Sequence, residues 1–109
     1  MEIEKGSIYW IDNHKNKKTP GLVIQNNILN ASKLSTVSLL AITPTLKFGE
    51  LPGNVTLDKG EANMPQSCVV NVSQIKTVGK ASVGEKIGAV SSVRMTEVED
   101  GIKLVLDLP

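Results

Sequence analysis

The sequence predicts a mainly β fold, an antiparallel sheet or small barrel closed by a C-terminal α-helix. Short runs of β-branched and apolar residues recur up to about position 90 and are separated by Gly, Pro, Asn and Asp, as in strands joined by turns. The apolar spacing then changes to three and four residues, which places Met95, Val98, Ile102 and Val105 on one helical face. With 109 residues, 40% of them apolar, the chain is predicted to form a single domain over residues 1–109.

Three strands are predicted in the first half of the chain, over Ser7–Asp12, residues 21–25 and Thr36–Thr43. The polar residues 13–20 between the first two strands are interpreted as a loop. Residues 30–34 are interpreted as a short helical turn, with Asn30 as its cap. Pro44 has no N–H for a ladder, so the third strand is expected to end at Thr43.

The second half is expected to contain strands over residues 54–57, 67–78 and 83–90, followed by the helix. The run of twelve residues at 67–78 is either one bent strand or two strands. Ser91 or Ser92 is the expected N-cap of the helix. Gly101 costs about 1 kcal/mol of helix stability relative to Ala, so tertiary packing is expected to hold that helix in place.

Composition excludes several classes of protein. A net charge of +1 is too small for a general nucleic-acid-coating or membrane-binding surface. Cys68 is the only cysteine and is expected to be a small buried apolar residue, so neither a disulfide framework nor a zinc site is predicted. The N-terminus has no apolar signal segment, and the longest apolar run is too short to span a bilayer. We therefore expect a cytoplasmic protein, small enough to favour dimerisation.

Few residues suggest chemistry on their own. His14 is the only histidine and has no Ser/Asp partners at a recognisable spacing, and phosphate-binding glycine motifs are absent from the sequence. Lys15, Lys17 and Lys18 surround His14 in the predicted loop. This basic loop is either a solvated surface or a local phosphate-binding patch. Thr43, at the end of the strongest predicted strand, is suitably placed to present a hydroxyl group.

Taken in order, these segments resemble the MazF/PemK family of toxins from bacterial toxin–antitoxin modules. The resemblance covers nearly the whole chain and ends in the terminal helix. It rests on KGSIYW (5–10), PGLVIQN (20–26), AIT (41–43), LPGNV (51–55), SCVVNVSQIKT (67–77) and IG (87–88).

The resemblance implies a small SH3-like barrel of antiparallel strands with a C-terminal helix, of the type shared by MazF and CcdB toxins. It also implies a homodimer whose partner is a MazE-like antitoxin with an extended acidic tail. The implied activity is sequence-selective cleavage of single-stranded RNA without metal or other cofactor, and not of DNA, through a 2′,3′-cyclic phosphate. Gyrase-poisoning toxins share this barrel, but the LPG and QIKT matches favour the ribonuclease.

Site residues follow by position in the matched motifs. Thr43 stands at the family's catalytic threonine, which donates to a phosphate oxygen, and Ser67 stands at the serine beside the site. The expected RNA contacts are Gln25, Leu51, Pro52 and Gln74, together with His14, Lys15 and Lys17 from the basic loop.

One position departs from the family pattern. The family carries its principal acid/base or charge-stabilising arginine directly before the proline of the second strand, and that position here is Thr19. A threonine supplies no cation. In one interpretation Lys18 reaches the same phosphate from a flexible loop, with Lys17 or His14 as proton carrier. In the other, the chain is a catalytically silent binding module for antitoxin or RNA. We expect an endoribonuclease that is less active than its arginine-bearing relatives.

Overall fold

The computed structural model describes residues 2–109, which form one six-stranded antiparallel sheet with a C-terminal helix. The strands are β1 (Ser7–Asp12), β2 (Lys18–Val23), β3 (Thr36–Thr43), β4 (Val55–Leu57), β5 (Cys68–Gly79) and β6 (Val83–Ala89), and the helices are α1 (Asn27–Asn30) and α2 (Ser92–Leu106). Three short 3-10 turns occupy Leu46–Glu50, Glu61–Asn63 and Lys80–Ser82. The strand order is β4-β5-β3-β2-β1-β6, so the described sheet is open between β4 and β6 and is compatible with a barrel-like fold. The predicted mainly β class is confirmed.

Alternating side chains give the sheet two buried faces. On one face, Leu22 and Leu40 pack in a cluster that includes Val98 of α2. The other face carries a second cluster around Tyr9 and Leu39. Because each fully buried side chain of this size contributes about 1.5–3 kcal/mol, both clusters stabilise the sheet.

The β1–β2 connection is shorter than the predicted loop. Lys18 pairs with Asp12 and Thr19 with Ile11, so the interpretation of residues 18–20 as loop is wrong. The turn closes through a hydrogen bond from Asn13 N to Lys17 O of 3.0 Å. Cross-strand pairing with β1 overrides the polar composition of this segment, which made it look like loop in the sequence.

Helix α1 lies three residues earlier than predicted. Asn26, not Asn30, is its N-cap and accepts a hydrogen bond from Ile28 N at 2.7 Å. Asn30 is instead buried at the end of the helix, where its Nδ2 donates to Gln25 O at 2.8 Å. Asparagine suits both positions, because its amide bonds backbone groups as readily at a cap as in a turn.

Strand β5 is one bent strand, the first of the two predicted alternatives. Its pairing with β3 jumps from Leu40↔Ile75 to Ala41↔Asn71, so three β5 residues have no partner on β3 between those pairs. A bulge of this kind bends the strand and increases its twist. The second half of β5 therefore follows a different direction from the first half.

Helix α2 is held by its cap, an ion pair and close packing. Ser91 Oγ accepts from Arg94 N at 3.1 Å, which confirms Ser91 as the N-cap. Arg94 also donates two hydrogen bonds to the Glu61 carboxylate, at 2.7 and 2.9 Å. These bonds, and second to them one from the backbone N–H of Asp58, hold the pKa of Glu61 at about 2. Gly101 is buried against the loop before β4, which agrees with the expectation that tertiary packing offsets the helix stability lost at a glycine.

Over residues 2–109, helices fall short of the length and apolar content needed to cross a membrane.

Candidate active site

Three of the predicted site residues come from strand termini that share one end of the sheet. Because β3 runs antiparallel to both neighbours, its end lies beside the starts of β2 and β5. Gly21 pairs with Ala41, and this register continued by two residues aligns Thr19 with Thr43. Ser67 directly precedes β5. Thr19, Thr43 and Ser67 therefore lie at the same end of the sheet, although they are distant in sequence.

A cleft of about 450 Å³ lies between the β1–β2 hairpin and the second half of β5, and Leu39, Ala41 and Ile42 line it from β3. His14 and Thr19 line it from the hairpin, Ala41 from β3 and Lys76 from β5. Asp12 is the one acidic side chain of the described lining. The cleft thus presents a hydroxyl, an imidazole and an ammonium group, which are hydrogen-bond donors suited to an anionic phosphate.

Thr43 is outside the described lining of this cleft, one residue beyond the last β3 residue that lines it. Its neighbour Ile42 lines the cleft, and alternation along β3 places the Thr43 side chain on the same face as Ala41. The half-buried Thr43 Oγ1 accepts from Thr45 N at 3.2 Å. Since that bond uses only an oxygen lone pair, the hydroxyl proton is free to be donated to a ligand.

Ser67 is half-buried on the side of the sheet end nearer β4. Its Oγ accepts from Lys59 N at 3.1 Å and ties the segment after β4 to the start of β5. The next residue, Cys68, is a buried free thiol, as the sequence predicts. Burial and, second, the negative charge of Glu61 raise the pKa of Cys68, so its thiol is a poor nucleophile at neutral pH.

The basic loop does not enter the cleft as a group. His14 lines the cleft, whereas Lys15, Lys17 and Lys18 are exposed and contribute nothing to the described lining. Lys18 was expected to reach inward from a flexible loop, but it belongs to β2. Adjacent strand residues point to opposite faces, so Lys18 faces away from Thr19.

Gln25 lies at the opposite end of the sheet, away from Thr43. Its Nε2 donates to Asn30 Oδ1 at 2.9 Å and to Thr36 O at 3.2 Å. Its Oε1 accepts from Ser38 N at 3.2 Å. This side chain therefore connects the end of β2, α1 and the start of β3, and the structure does not bring it into the cleft.

The other predicted RNA contacts lie on the exposed surface. Gln74 lies in the bulge of β5, and its side chain is exposed. Leu51 and Pro52 are also exposed, in the loop whose Gly53 approaches α2. These three residues are outside the described lining of the cleft but are accessible to an extended ligand.

Lys76 is a cleft residue that the sequence-based selection of site residues omitted. It pairs with Leu39 in the second half of β5, which places both side chains on one face of the sheet. The signal was present in the QIKT segment, where Lys76 stands two residues after Gln74. Lys76 and its neighbour Ile75 point to opposite faces of the sheet, but which of the two faces the cleft depends on the bulge, which the sequence does not reveal.

A protein-derived metal centre is not formed by the described side chains. Across residues 2–109, groups of three or more His, Cys, Asp or Glu side chains close enough to hold a metal ion do not occur.

Comparisons with known proteins agree with this architecture. The sequence profile of the PemK-like, MazF-like toxins of type II toxin–antitoxin systems matches residues 4–106. The chain is 38% identical over 114 aligned residues to Endoribonuclease MazF6 of Mycobacterium tuberculosis, an alignment covering 99% of this chain and 100% of the relative. It is 27% identical to Endoribonuclease EndoA of Bacillus subtilis, over 99% of this chain and 97% of that protein.

Solved structures give the same result. An endoribonuclease from a mycobacterial species, solved in complex with its cognate antitoxin, matches with a TM-score of 0.84 at 25% identity, covering 98% of this chain and 97% of its own. A MazE–MazF complex from Deinococcus radiodurans matches in fold with a TM-score of 0.84 at 18% identity, covering 100% of this chain and 99% of its own. From the matched profile and the 38% identity over its whole length, the chain belongs to the PemK-like, MazF-like toxin family of type II toxin–antitoxin systems.

Proposed function

We propose that this protein is the toxin of a type II toxin–antitoxin module and a metal-independent endoribonuclease that cleaves single-stranded RNA. The observation that carries the proposal is the cleft lined by His14, Thr19 and Ala41, with the Thr43 side chain two residues beyond Ala41 on the same face of β3. Relatives named as endoribonucleases support the reaction class.

The reaction is a transesterification within the RNA chain. The ribose 2′ oxygen forms a bond to the adjacent phosphorus, while the bond from phosphorus to the 5′ oxygen of the next nucleotide breaks. The 2′-hydroxyl proton goes to a base, and the departing 5′ oxygen takes up a proton. The products carry a 2′,3′-cyclic phosphate and a 5′-hydroxyl, and negative charge grows on the phosphate oxygens during the step.

Individual side chains take separate parts of this reaction. Thr43 Oγ1 donates a hydrogen bond to a phosphate oxygen, and Ser67 supports the same end of the site. His14 is the proton carrier, because it is the chain's only imidazole and lines the cleft. The exposed lysines at 15, 17 and 18 add positive charge to the hairpin outside the cleft, which attracts the RNA backbone. Leu51, Pro52 and Gln74 provide surface for the flanking nucleotides.

The partners follow from the same family assignment. We propose a homodimer in the cytoplasm, neutralised by an antitoxin whose extended acidic segment occupies the RNA site. An acidic chain suits the lysines around the cleft, since their positive charge favours carboxylates as well as phosphates.

Thr19 favours a second candidate function. Without a cation at that position, the chain could keep the fold and the antitoxin contact as a binding module that does not cleave RNA. Loss of one preorganised donor typically lowers a rate by a factor of about 10²–10³.

Cleavage of a long single-stranded RNA by the purified protein in EDTA tests the two candidates. We expect cuts at defined sequences, with 2′,3′-cyclic phosphates at the mapped ends. Thr43→Ala is expected to lower the cleavage rate by a factor of about 10² or more. Thr96→Ala, which removes an exposed hydroxyl on α2, is the matched control. Intact RNA from the folded wild-type protein would favour the binding module.

A further inference from the structure

We propose that Lys76 is the cation that stabilises the reacting phosphate in the cleft, and so replaces from β5 the positive charge that Thr19 cannot supply from β2. This inference rests on the proposed ribonuclease function and assigns a catalytic residue to it. Among the residues that line the described cleft, Lys76 alone has a side-chain ammonium group.

The register of the sheet places Lys76 on the correct face. Lys76 pairs with Leu39, and Ala41 and Thr43 follow Leu39 on the same face of β3. Thr19 reaches that face from β2 through the alignment of Gly21 with Ala41. Lys76 and Thr19 therefore line one cleft from strands on either side of β3.

The bulge in β5 is the structural cause of this placement. Three residues without partners on β3 separate Asn71 from Ile75, and the pairing resumes only with Ile75 and Lys76. An uninterrupted ladder with the register of the first half of β5 would pair a different residue with Leu39. Because a shift of one residue exchanges the two faces, the length of the bulge decides whether the ammonium group faces the cleft.

Electrostatics leaves Lys76 available for a ligand. Over residues 2–109 it forms neither a salt bridge nor a side-chain hydrogen bond, and its side chain is exposed. Asp12 adds a negative charge to the lining, which repels phosphate unless a cation offsets it. Lys18 pairs with Asp12 across the β1–β2 ladder, but Lys15, Lys17 and Lys18 all lie outside the lining and place no cation in the cleft.

Cleavage kinetics of charge-altering variants test the assignment. Lys76→Met keeps most of the side-chain volume without the charge, and Lys76→Arg keeps the charge. Lys33→Met, at an exposed lysine outside the described lining of the cleft, is the matched control. We expect Lys76→Met to lower kcat by a factor of about 10²–10³ with a smaller effect on KM, while Lys76→Arg stays within about tenfold of wild type. Adding Thr19→Arg to Lys76→Met is expected to recover part of the lost kcat.

Two outcomes overturn the assignment while leaving the ribonuclease function intact. One is a kcat for Lys76→Met within about threefold of wild type. The other is a rise in KM with kcat unchanged, which would make Lys76 a uniform RNA-binding contact instead.

Wild-type protein that leaves RNA intact would contradict the proposed function. In that case a measurement of RNA binding tests separately whether Lys76 contacts a phosphate. The probe is a 2′-O-methylated single-stranded RNA oligonucleotide, titrated by fluorescence anisotropy at several salt concentrations. If Lys76 contacts one phosphate, Lys76→Met should make the dependence of the logarithm of the binding constant on the logarithm of the salt concentration shallower by about 0.7. That result supports the contact. An unchanged slope, or no binding by wild type, overturns it.

Discussion

Gly53 and Gly101 lie so close together that a Cβ atom added to either residue would contact the backbone of the other. A Cβ on Gly53 would lie 3.2 Å from Gly101 Cα, and a Cβ on Gly101 would collide with Gly53 O. Gly53 also has φ of +84°, a conformation that favours glycine. This contact docks the loop carrying Leu51 and Pro52 onto α2, so the helix sets the position of a proposed RNA-contacting surface.

Gly101→Ala is expected to destabilise the protein, although Ala is the better helix former. The gain of about 1 kcal/mol in helix propensity is outweighed by the cost of forcing α2 away from Gly53 O. We expect a net loss of about 1–2 kcal/mol in the free energy of unfolding, measured by urea denaturation. Asp100→Ala, at the exposed neighbouring position, is the control for a gain in helix propensity without a packing clash. A Gly101→Ala protein as stable as the control would contradict the close-packing argument.

The Arg94–Glu61 ion pair predicts a loss of stability in acid. Because the pKa of Glu61 is lowered from 4.5 to about 2 in the folded protein, its stabilising effect is complete above about pH 4.5 and disappears as the pH falls toward 2. Both side chains are about a quarter to a third exposed, so solvent screening reduces the effect to about 1 kcal/mol. Between pH 5 and pH 2.5, wild type should lose more stability than Glu61→Gln in thermal unfolding. Parallel losses would show that the ion pair does not contribute.

Gln25 separates a structural role from an RNA-binding role. Gln25→Leu removes the hydrogen bonds that Gln25 donates to Thr36 O and Asn30 Oδ1 and the one that it accepts from Ser38 N. These bonds lie at the end of the sheet opposite Thr43. We expect the free energy of unfolding to fall by about 1–3 kcal/mol, because half-buried polar groups lose their partners. The rate of RNA cleavage at low temperature, where the variant is folded, should change by less than about threefold. Gln66→Leu, on the exposed surface, is the control. A slower reaction from an equally stable Gln25→Leu protein would instead assign RNA contact to this residue.

Local patterns were sufficient for several elements. The strands Ser7–Asp12 and Thr36–Thr43 follow from runs of β-branched and apolar residues, and Pro44 marks the end of the latter because it lacks an N–H. Ser91 is recognisable as a cap because its hydroxyl precedes a segment of helical period. In each case the physical cause lies within a few residues of the position it explains.

Other features depended on pairing between distant segments. Lys18 and Thr19 belong to β2 because β1 provides a partner strand, which their own polar composition does not reveal. Likewise, Lys76 faces the cleft because β5 contains a bulge at a point set by its ladder with β3.

The sequence by itself determined the mainly β class, the C-terminal helix and the motifs of the toxin family. Only the tertiary structure decided which cations line the cleft. The reason is that a strand has two faces and a period of two residues, so the face a side chain occupies follows from register, and register is a property of two strands together.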